Sequence, residues 1–293
     1  LLFDLAIICH SPFPKVKCYL TAASRRRERS RSFPATAVDF FDNGRSICYE
    51  KAHIGRFCME RLGVLSGTFM LERSDWIRKG EKRRIHNAYG EATAIETDCA
   101  VFILRHGDNP AHYILPHQVN HAANLLALKD LGVTEVIGIN STGSLKTHLR
   151  PGMIVIPDDF ITFTPTPTIY ENKPIHVTPS FHESVRRKLI AAARKIDLNA
   201  VESGIYWQTP GPRLETRAEI RMMSGFADIV GMTLAGEAVI ALEMDLPYAS
   251  ACSIDNFGNG LVEKPLSLEE IVAGTRKNAD MMIRLVQEYI DGA

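Results

Sequence analysis

Ala100-Val101-Phe102-Ile103-Leu104-Arg105-His106-Gly107 is followed by His117-Gln118-Val119-Asn120-His121-Ala122-Ala123-Asn124-Leu125-Leu126-Ala127-Leu128-Lys129-Asp130-Leu131-Gly132 and then by Thr134-Glu135-Val136-Ile137-Gly138-Ile139. The first piece is a short, β-rich apolar run of the kind expected for a strand buried on both faces. In the second, Val119, Ala122, Ala123, Leu126 and Ala127 recur at helical spacing, and Gly132 stands where a left-handed cap closes a helix. The third is again a short apolar run. Strand, helix, strand is the repeating unit of an α/β domain.

The same alternation continues in both directions. Apolar runs at 61–65, 153–156, 203–207, 228–231 and 247–253 read as further strands. Helices are expected over 180–196 and from 267, each opened by a capping-box pattern, Ser180-x-x-Glu183 and Ser267-x-x-Glu270. The proline-rich passage 162–179 has no period and reads as a surface excursion, a type of loop that often borders a site. With no internal repeat or linker after Met59, residues 59–293 are expected to form one α/β domain.

The 293 residues carry 34 Lys and Arg against 34 Asp and Glu, so net charge gives no sign of a nucleic-acid or strongly acidic partner. The average conceals an asymmetry, since the stretch before Met59 holds 10 basic against 5 acidic residues. That stretch contains an Arg/Ser cluster, Arg25 to Ser32, four of the six cysteines and no sustained apolar period. Residues 1–58 are therefore expected to be an N-terminal extension, disordered or non-native, without a core of its own. A transit peptide is the alternative, which Asp4, Glu28, Asp39 and Asp42 fit poorly. Leu5 to Cys9 is far shorter than the roughly 20 apolar residues that a membrane span requires. Cys99 and Cys252 sit in apolar strand-like runs without zinc spacing, which suits core residues in a reducing, cytoplasmic setting.

Two blocks carry base-recognition chemistry: Gly211-Pro212-Arg213-Leu214-Glu215-Thr216-Arg217-Ala218-Glu219, and Ser253-Ile254-Asp255-Asn256-Phe257. An ionised Glu215 only accepts hydrogen bonds and suits ring N–H groups, whereas the Asn256 amide can donate to a ring carbonyl. Together they suit a 6-oxopurine. Arg105 and His106 at a strand end, and Leu62 to Thr68 as a strand running into a Ser/Gly/Thr turn, suit an oxyanion. One oxyanion and one purine suggest glycosyl transfer to phosphate, a reaction that needs no protein nucleophile. Taken singly, each residue has a plainer reading: Arg105 a surface residue, His106 and Met232 core residues, Glu215 and Glu237 acids favoured by a helix dipole.

These blocks resemble the purine nucleoside phosphorylases, in the branch that contains 5'-methylthioadenosine phosphorylase and its 6-oxopurine relatives. The resemblance runs from about Arg61 to the C-terminus. It rests on Gly63 to Thr68, Arg105-His106-Gly107, Pro116 to Asn124, Asn140 to Leu145, Pro151-Gly152-Met153, Gly211 to Glu219, Gly231-Met232-Thr233 with Glu237, and Tyr248-Ala249-Ser250. It implies a three-layer α/β/α sandwich around a mixed central sheet, assembled as a homotrimer, with phosphate as co-substrate and no cofactor or metal. It implies phosphate ligation by Thr68, Arg105, His106 and Thr233, with the Asn140-Ser141 turn adding hydroxyl or backbone donors. Met232 matches the methionine beneath the ribose, Glu237 the residue near the sugar hydroxyls, and Phe257 joins the ribose and purine pocket. Glu215 and Asn256 become the residues that act on the base.

Departures from the pattern carry information. The methylthioadenosine enzymes place aspartates where Asn256 and Gly258 stand, which points this chain toward inosine, guanosine or a 5'-modified 6-oxopurine nucleoside. Ser66 and Phe69 replace glycines of the usual phosphate turn, with an expected effect on phosphate affinity. The stretch after Gly107 is longer than in those enzymes, leaving His112 and Tyr113 without a role. Methylthioadenosine phosphorylase, a water-using nucleosidase and a catalytically weak nucleoside-binding protein are the competing readings. A dinucleotide-binding oxidoreductase is excluded, because no Gly-x-Gly-x-x-Gly follows a predicted strand.

Overall fold

The computed structural model describes residues 61–67, 70 and 73–292, preceded by two short strands, Phe41–Asp42 and Arg45–Ser46. The chain divides into two compact units, Leu1–Ala52 and His53–Ala293. In the first, the two short strands pair antiparallel. The expectation of a coreless extension over 1–58 otherwise lies outside the described residues.

The second unit is built on β1 (Leu62–Ser66), α1 (Asp75–Arg78), β2 (Glu81–Asn87), β3 (Gly90–Glu96), β4 (Ala100–Leu104), α2 (His121–Asp130) and β5 (Glu135–Ser144). It continues with β6 (Ile154–Val155), β7 (Asp159–Thr162), α3 (Glu183–Lys195), β8 (Ala200–Val201), β9 (Ile205–Gln208), α4 (Arg217–Met223), β10 (Ile229–Gly231), α5 (Leu234–Glu243), β11 (Tyr248–Phe257) and α6 (Leu268–Asp291). One mixed sheet runs in the order β8-β6-β11-β5-β1-β4-β3-β2, with β10, β9 and β7 branching from β5. Its centre, β11-β5-β1-β4, is parallel.

Strand alternation divides the core into two layers. Val101, Ile103 and Val136 face Leu125 and Leu128 of α2 and Leu234 and Ile240 of α5. Val64, Phe102 and Ile137 face Val185 and Leu189 of α3 and Met282, Leu285 and Tyr289 of α6. The sheet is thus covered on both faces, as a three-layer α/β/α sandwich. A smaller cluster of Leu145, Trp207, Ile220, Met223 and Val230 seats α4 on the branch.

Local signals mostly land where the chemistry places them. Gly132 is left-handed at φ +74, and the N–H groups of Gly132 and Val133 close α2 on the carbonyls of Lys129 and Leu128. Ser267 caps α6 by accepting from Glu270 N–H. The box expected at Ser180 is not formed: α3 starts at Glu183 behind His182, which makes no side-chain cap, and the His182 N–H donates to the Tyr248 carbonyl. Tertiary contact with β11 sets that start, overriding the local pattern. The formed box is Thr216 with Glu219, inside the Gly211–Glu219 block.

The β2–β3 hairpin has no counterpart in the sequence reading. Its outer strand, Glu-Lys-Arg-Arg-Ile-His-Asn, is charged and largely exposed, as suits a protected sheet edge, and shows no apolar alternation. Among the described residues, no helix is long and apolar enough to cross a membrane.

Candidate active site

The parallel strands β1, β4, β5 and β11 all end on one side of the sheet, the side on which open α/β sheets place their ligands. There a cavity of about 550 Å³ opens, large enough for a nucleoside with an anion beside it. It brings together Arg105, His106, Asn140, Ser141, Glu215, Met232, Thr233 and Asn256, residues spread over more than 150 positions of sequence.

Arg105 follows β4 and is 3% exposed. Its Nε donates to Glu237 Oε1 at 2.6 Å, one terminal nitrogen to the Ile139 carbonyl at 2.7 Å and the other to the Leu65 carbonyl at 2.7 Å. A guanidinium has five N–H donors, so these three bonds leave two for an oxyanion in the cavity. His106 stacks on Tyr113, with ring centroids 4.7 Å apart and planes within 10°, which gives Tyr113 a place in the wall. The His106 Nδ1 lies 2.8 Å from the Ile114 carbonyl, which only accepts, so Nδ1 carries the proton and the neutral ring offers Nε2 as an acceptor. Burial, aided by the Arg105 charge, pushes the His106 imidazole down to about 4. It is neutral at pH 7.

Asn140 and Ser141 lie inside β5, which runs on to Ser144, and not in the turn expected from the apolar run ending at 139. The Asn140 side chain is spent: Nδ2 donates to Ser250 Oγ at 2.8 Å, and Oδ1 accepts from Thr233 Oγ1 at 2.9 Å. The Ser141 side chain is exposed, and its hydroxyl lies 3.3 Å from Thr275 Oγ1 on α6. Thr68 and Phe69 lie outside the described residues. Ser66 ends β1, its carbonyl accepting from the Arg105 N–H at 3.0 Å, and its Oγ is buried without a partner.

On the base side, Glu215 immediately precedes Thr216, the N-cap of α4. The capping box is locked from outside by Arg213, whose guanidinium grips both Glu219 oxygens at 2.8 and 2.7 Å. Arg213, with help from the Thr216 N–H, holds the Glu219 carboxyl down to about 2. Arg213 and Glu219 therefore act as a clasp that fixes Glu215 in the chain. Thr209 Oγ1 donates to Glu215 Oε1 at 2.7 Å, and Asn259 Nδ2 donates to the Glu215 carbonyl at 3.1 Å. The second carboxylate oxygen remains for a ligand donor.

Asn256 reaches the cavity through a bulge. Both Ser253 and Asn256 line it, although an odd spacing puts residues on opposite faces of a regular strand. The β11–β5 register shifts between Ile254 and Asn256, so Asp255 is the extra residue that turns Asn256 inward. Its Nδ2 donates to the Phe257 carbonyl at 2.8 Å, leaving Oδ1 and one N–H. At Gly258, a Cβ would lie 2.9 Å from Ile220 Cδ1 and 3.0 Å from the Ser144 carbonyl, so a side chain where the methylthioadenosine enzymes place their second aspartate would be crowded and require Ile220 to shift. Met232 is in the wall, and Gly211 gives it room, since a Cβ there would be 2.6 Å from its sulfur.

Two expected site residues stand elsewhere. Glu237 is 1% exposed beneath the cavity floor, with one oxygen on Arg105 and the other accepting from Tyr248 at 2.7 Å, so it does not face sugar hydroxyls. Its position in the first turn of α5 resembled a sugar ligand, but the fold points it inward. Phe257 contributes only its carbonyl to Asn256 and does not line the cavity. The 162–179 loop does not border the cavity either. Its Thr168 and Ile169 bind the Glu243 carboxylate.

Sequence reading missed the far wall, made by Leu268, Ile271, Val272, Thr275 and Met282 of α6. Buried Asp255 pins that helix, accepting from Thr275 Oγ1 and from Asn278 Nδ2, both at 2.7 Å. The polar pair Thr275-x-x-Asn278 on the inner side of an amphipathic helix was the available signal. Among the described residues, no cluster of three or more His, Cys, Asp or Glu side chains is placed to hold a metal.

The Phosphorylase superfamily matches residues 62–291. The chain is 40% identical over 237 residues to a probable 6-oxopurine nucleoside phosphorylase of Archaeoglobus fulgidus, covering 78% of this chain and 95% of that protein. It is 37% identical over 238 residues to a probable S-methyl-5'-thioinosine phosphorylase of Methanocaldococcus jannaschii, covering 78% and 92%. Methylthioadenosine phosphorylase from Schistosoma mansoni, solved in complex with adenine, superposes with a TM-score of 0.70 at 26% identity, over 79% of this chain and 91% of that one.

Proposed function

Because the chain belongs to the phosphorylase superfamily, we propose that this enzyme cleaves the N-glycosidic bond of 6-oxopurine nucleosides with inorganic phosphate, releasing the base and ribose 1-phosphate. The observation that carries this reading is that an amide, Asn256, and a carboxylate, Glu215, line the same cavity as Arg105. Arg105 and His106 seat phosphate against the anomeric carbon. His106 Nε2 accepts a hydrogen bond from the O–H of a hydrogen phosphate, the proton staying on the phosphate. As the bond lengthens, negative charge moves onto the purine, where the Asn256 amide donates to the keto oxygen and Glu215 holds a ring N–H. Fixed donors aimed at developing charge are worth about 3–4 kcal/mol each. Phosphate is the only co-substrate in this reading, with no cofactor or metal.

The apolar wall from α6 favours a second reading, in which the sugar carries an apolar 5' substituent such as methylthio. Purified protein is to be assayed with inosine, guanosine, adenosine, 5'-methylthioinosine and 5'-methylthioadenosine, with and without phosphate. Hypoxanthine or guanine release that requires phosphate, with adenine release at least about 10²-fold slower, supports the proposal. Faster adenine release, or equal rates without phosphate, rejects it. The exposed apolar rim of Tyr113, Leu214 and Leu268 supports assembly as a homotrimer, which light scattering tests.

A further inference from the structure

Arg105 carries a full charge at 3% exposure, and Glu237 pairs with it at 1% exposure. A buried charge without a counter-ion is strongly destabilising, so Glu237 is what allows Arg105 to be buried here. The pair is built in deliberately. Tyr248 fixes the second Glu237 oxygen at 2.7 Å, and Gly138 on β5 leaves the space, since a Cβ there would lie 2.2 Å from Tyr248 Oη and 2.9 Å from Glu237 Oε2. Glu237 is not needed to aim the guanidinium, because the Leu65 and Ile139 carbonyls already hold both terminal nitrogens.

What Glu237 supplies is therefore charge. An oxyanion that binds the free edge of Arg105 meets a cation whose field Glu237 already opposes at 2.6 Å. We propose that Glu237, held by Tyr248, is the resident counter-ion of Arg105 and sets how tightly the cavity holds its phosphate. This makes Glu237 a charge-setting residue that acts through Arg105 rather than a ligand of the sugar. The inference rests on the phosphorylase reading and adds a function to it: a phosphate site moderated from below releases a phosphorylated product, where an unopposed arginine would retain it.

The test is Glu237→Gln, which keeps the shape and an acceptor for Arg105 Nε and removes the charge. Inorganic phosphate is titrated calorimetrically into wild type and variant, and melting temperature is followed against phosphate concentration. E237Q is expected to bind phosphate about tenfold more tightly or better. It should melt lower than wild type without phosphate and recover as phosphate rises, by linkage. The KM for nucleoside should stay within about twofold, because Glu237 does not line the cavity. Weaker or unchanged phosphate binding by folded E237Q overturns the proposal. Should E237Q be recovered only in phosphate buffer, that is the expected behaviour in its extreme form. The double variant R105M/E237Q removes both charges and should fold without phosphate and ignore it; a double variant no more stable than E237Q also overturns the proposal. Wild type that binds no phosphate at all rejects instead the phosphorylase reading on which this rests.

Discussion

At the scale of single residues, the proposed choice of a 6-oxopurine comes down to one hydrogen bond. Asn256 can donate to a keto oxygen, and a carboxylate in its place cannot. Asn256→Asp also puts a second acid in the cavity that holds Glu215. The kcat/KM for inosine is expected to fall by about 10²–10³-fold in N256D, with loss of thermal stability too small to account for it. Unchanged inosine turnover would remove Asn256 from the base site. Gain of adenine release need not follow, because glycine at 258 supplies no second carboxylate. Residue types in the Gly211–Glu219 and Ser253–Phe257 blocks pointed to Glu215 and Asn256, and the structure places both in the cavity lining. Glu237 was misread for a physical reason. An acid in the first turn of a helix has the same sequence signature whether it faces a ligand or a buried arginine, and only the packing of α5 on β5 and β11 tells them apart.

At the scale of elements, α6 closes the cavity by lying against the bulge in β11. Gly274 is the contact point, since a Cβ there would sit 2.1 Å from the Asp255 carbonyl oxygen. In most helices Gly→Ala stabilises by about 1 kcal/mol. Here overpacking against backbone reverses the sign, and Gly274→Ala should destabilise by about 2 kcal/mol in urea unfolding. Because Ile271 and Thr275 flank it on the cavity wall, the same variant should raise the nucleoside KM. A G274A protein as stable as wild type would show that α6 is not seated on Asp255 in solution. Neither the bulge nor this contact has a sequence mark. The strands did: β1, β4 and β11 read as apolar runs because both faces are covered, while β2 escaped because its polarity is that of an exposed edge and β3, between β2 and β4, because its small and polar residues form no apolar run.

For the whole molecule, acid stability depends on two imidazoles near Arg105, buried His121 and half-buried His106. Burial, then the charges of Arg105 and His106, pushes His121 down to about 3, and its Nδ1 is buried without a partner. His106 lies at about 4. Both are neutral in the folded protein, while an unfolded histidine protonates near pH 6.5, so the unfolded state binds more protons below that pH. Their contribution is full above about pH 6.5 and is lost as pH falls toward those values, each group costing about 2 kcal/mol by pH 5. Melting temperature should therefore drop between pH 6.5 and 5. His121→Leu should remove about half of that slope and stabilise at pH 7 by about 1 kcal/mol, by deleting an unsatisfied polar atom. An unaltered acid slope in H121L would assign the loss to other groups. What the sequence by itself determined is the alternation of strand and helix, and with it the sandwich, because hydrophobic periodicity is a local property of the chain. It also determined the chemical types brought to the site. Which of those groups face the cavity, which lie beneath it and what forms the opposite wall was decided only by tertiary structure. Those outcomes depend on a register shift in β11, on Glu237 being drawn to a buried charge, and on α6 docking from the far end of the chain, none of which is encoded within one segment.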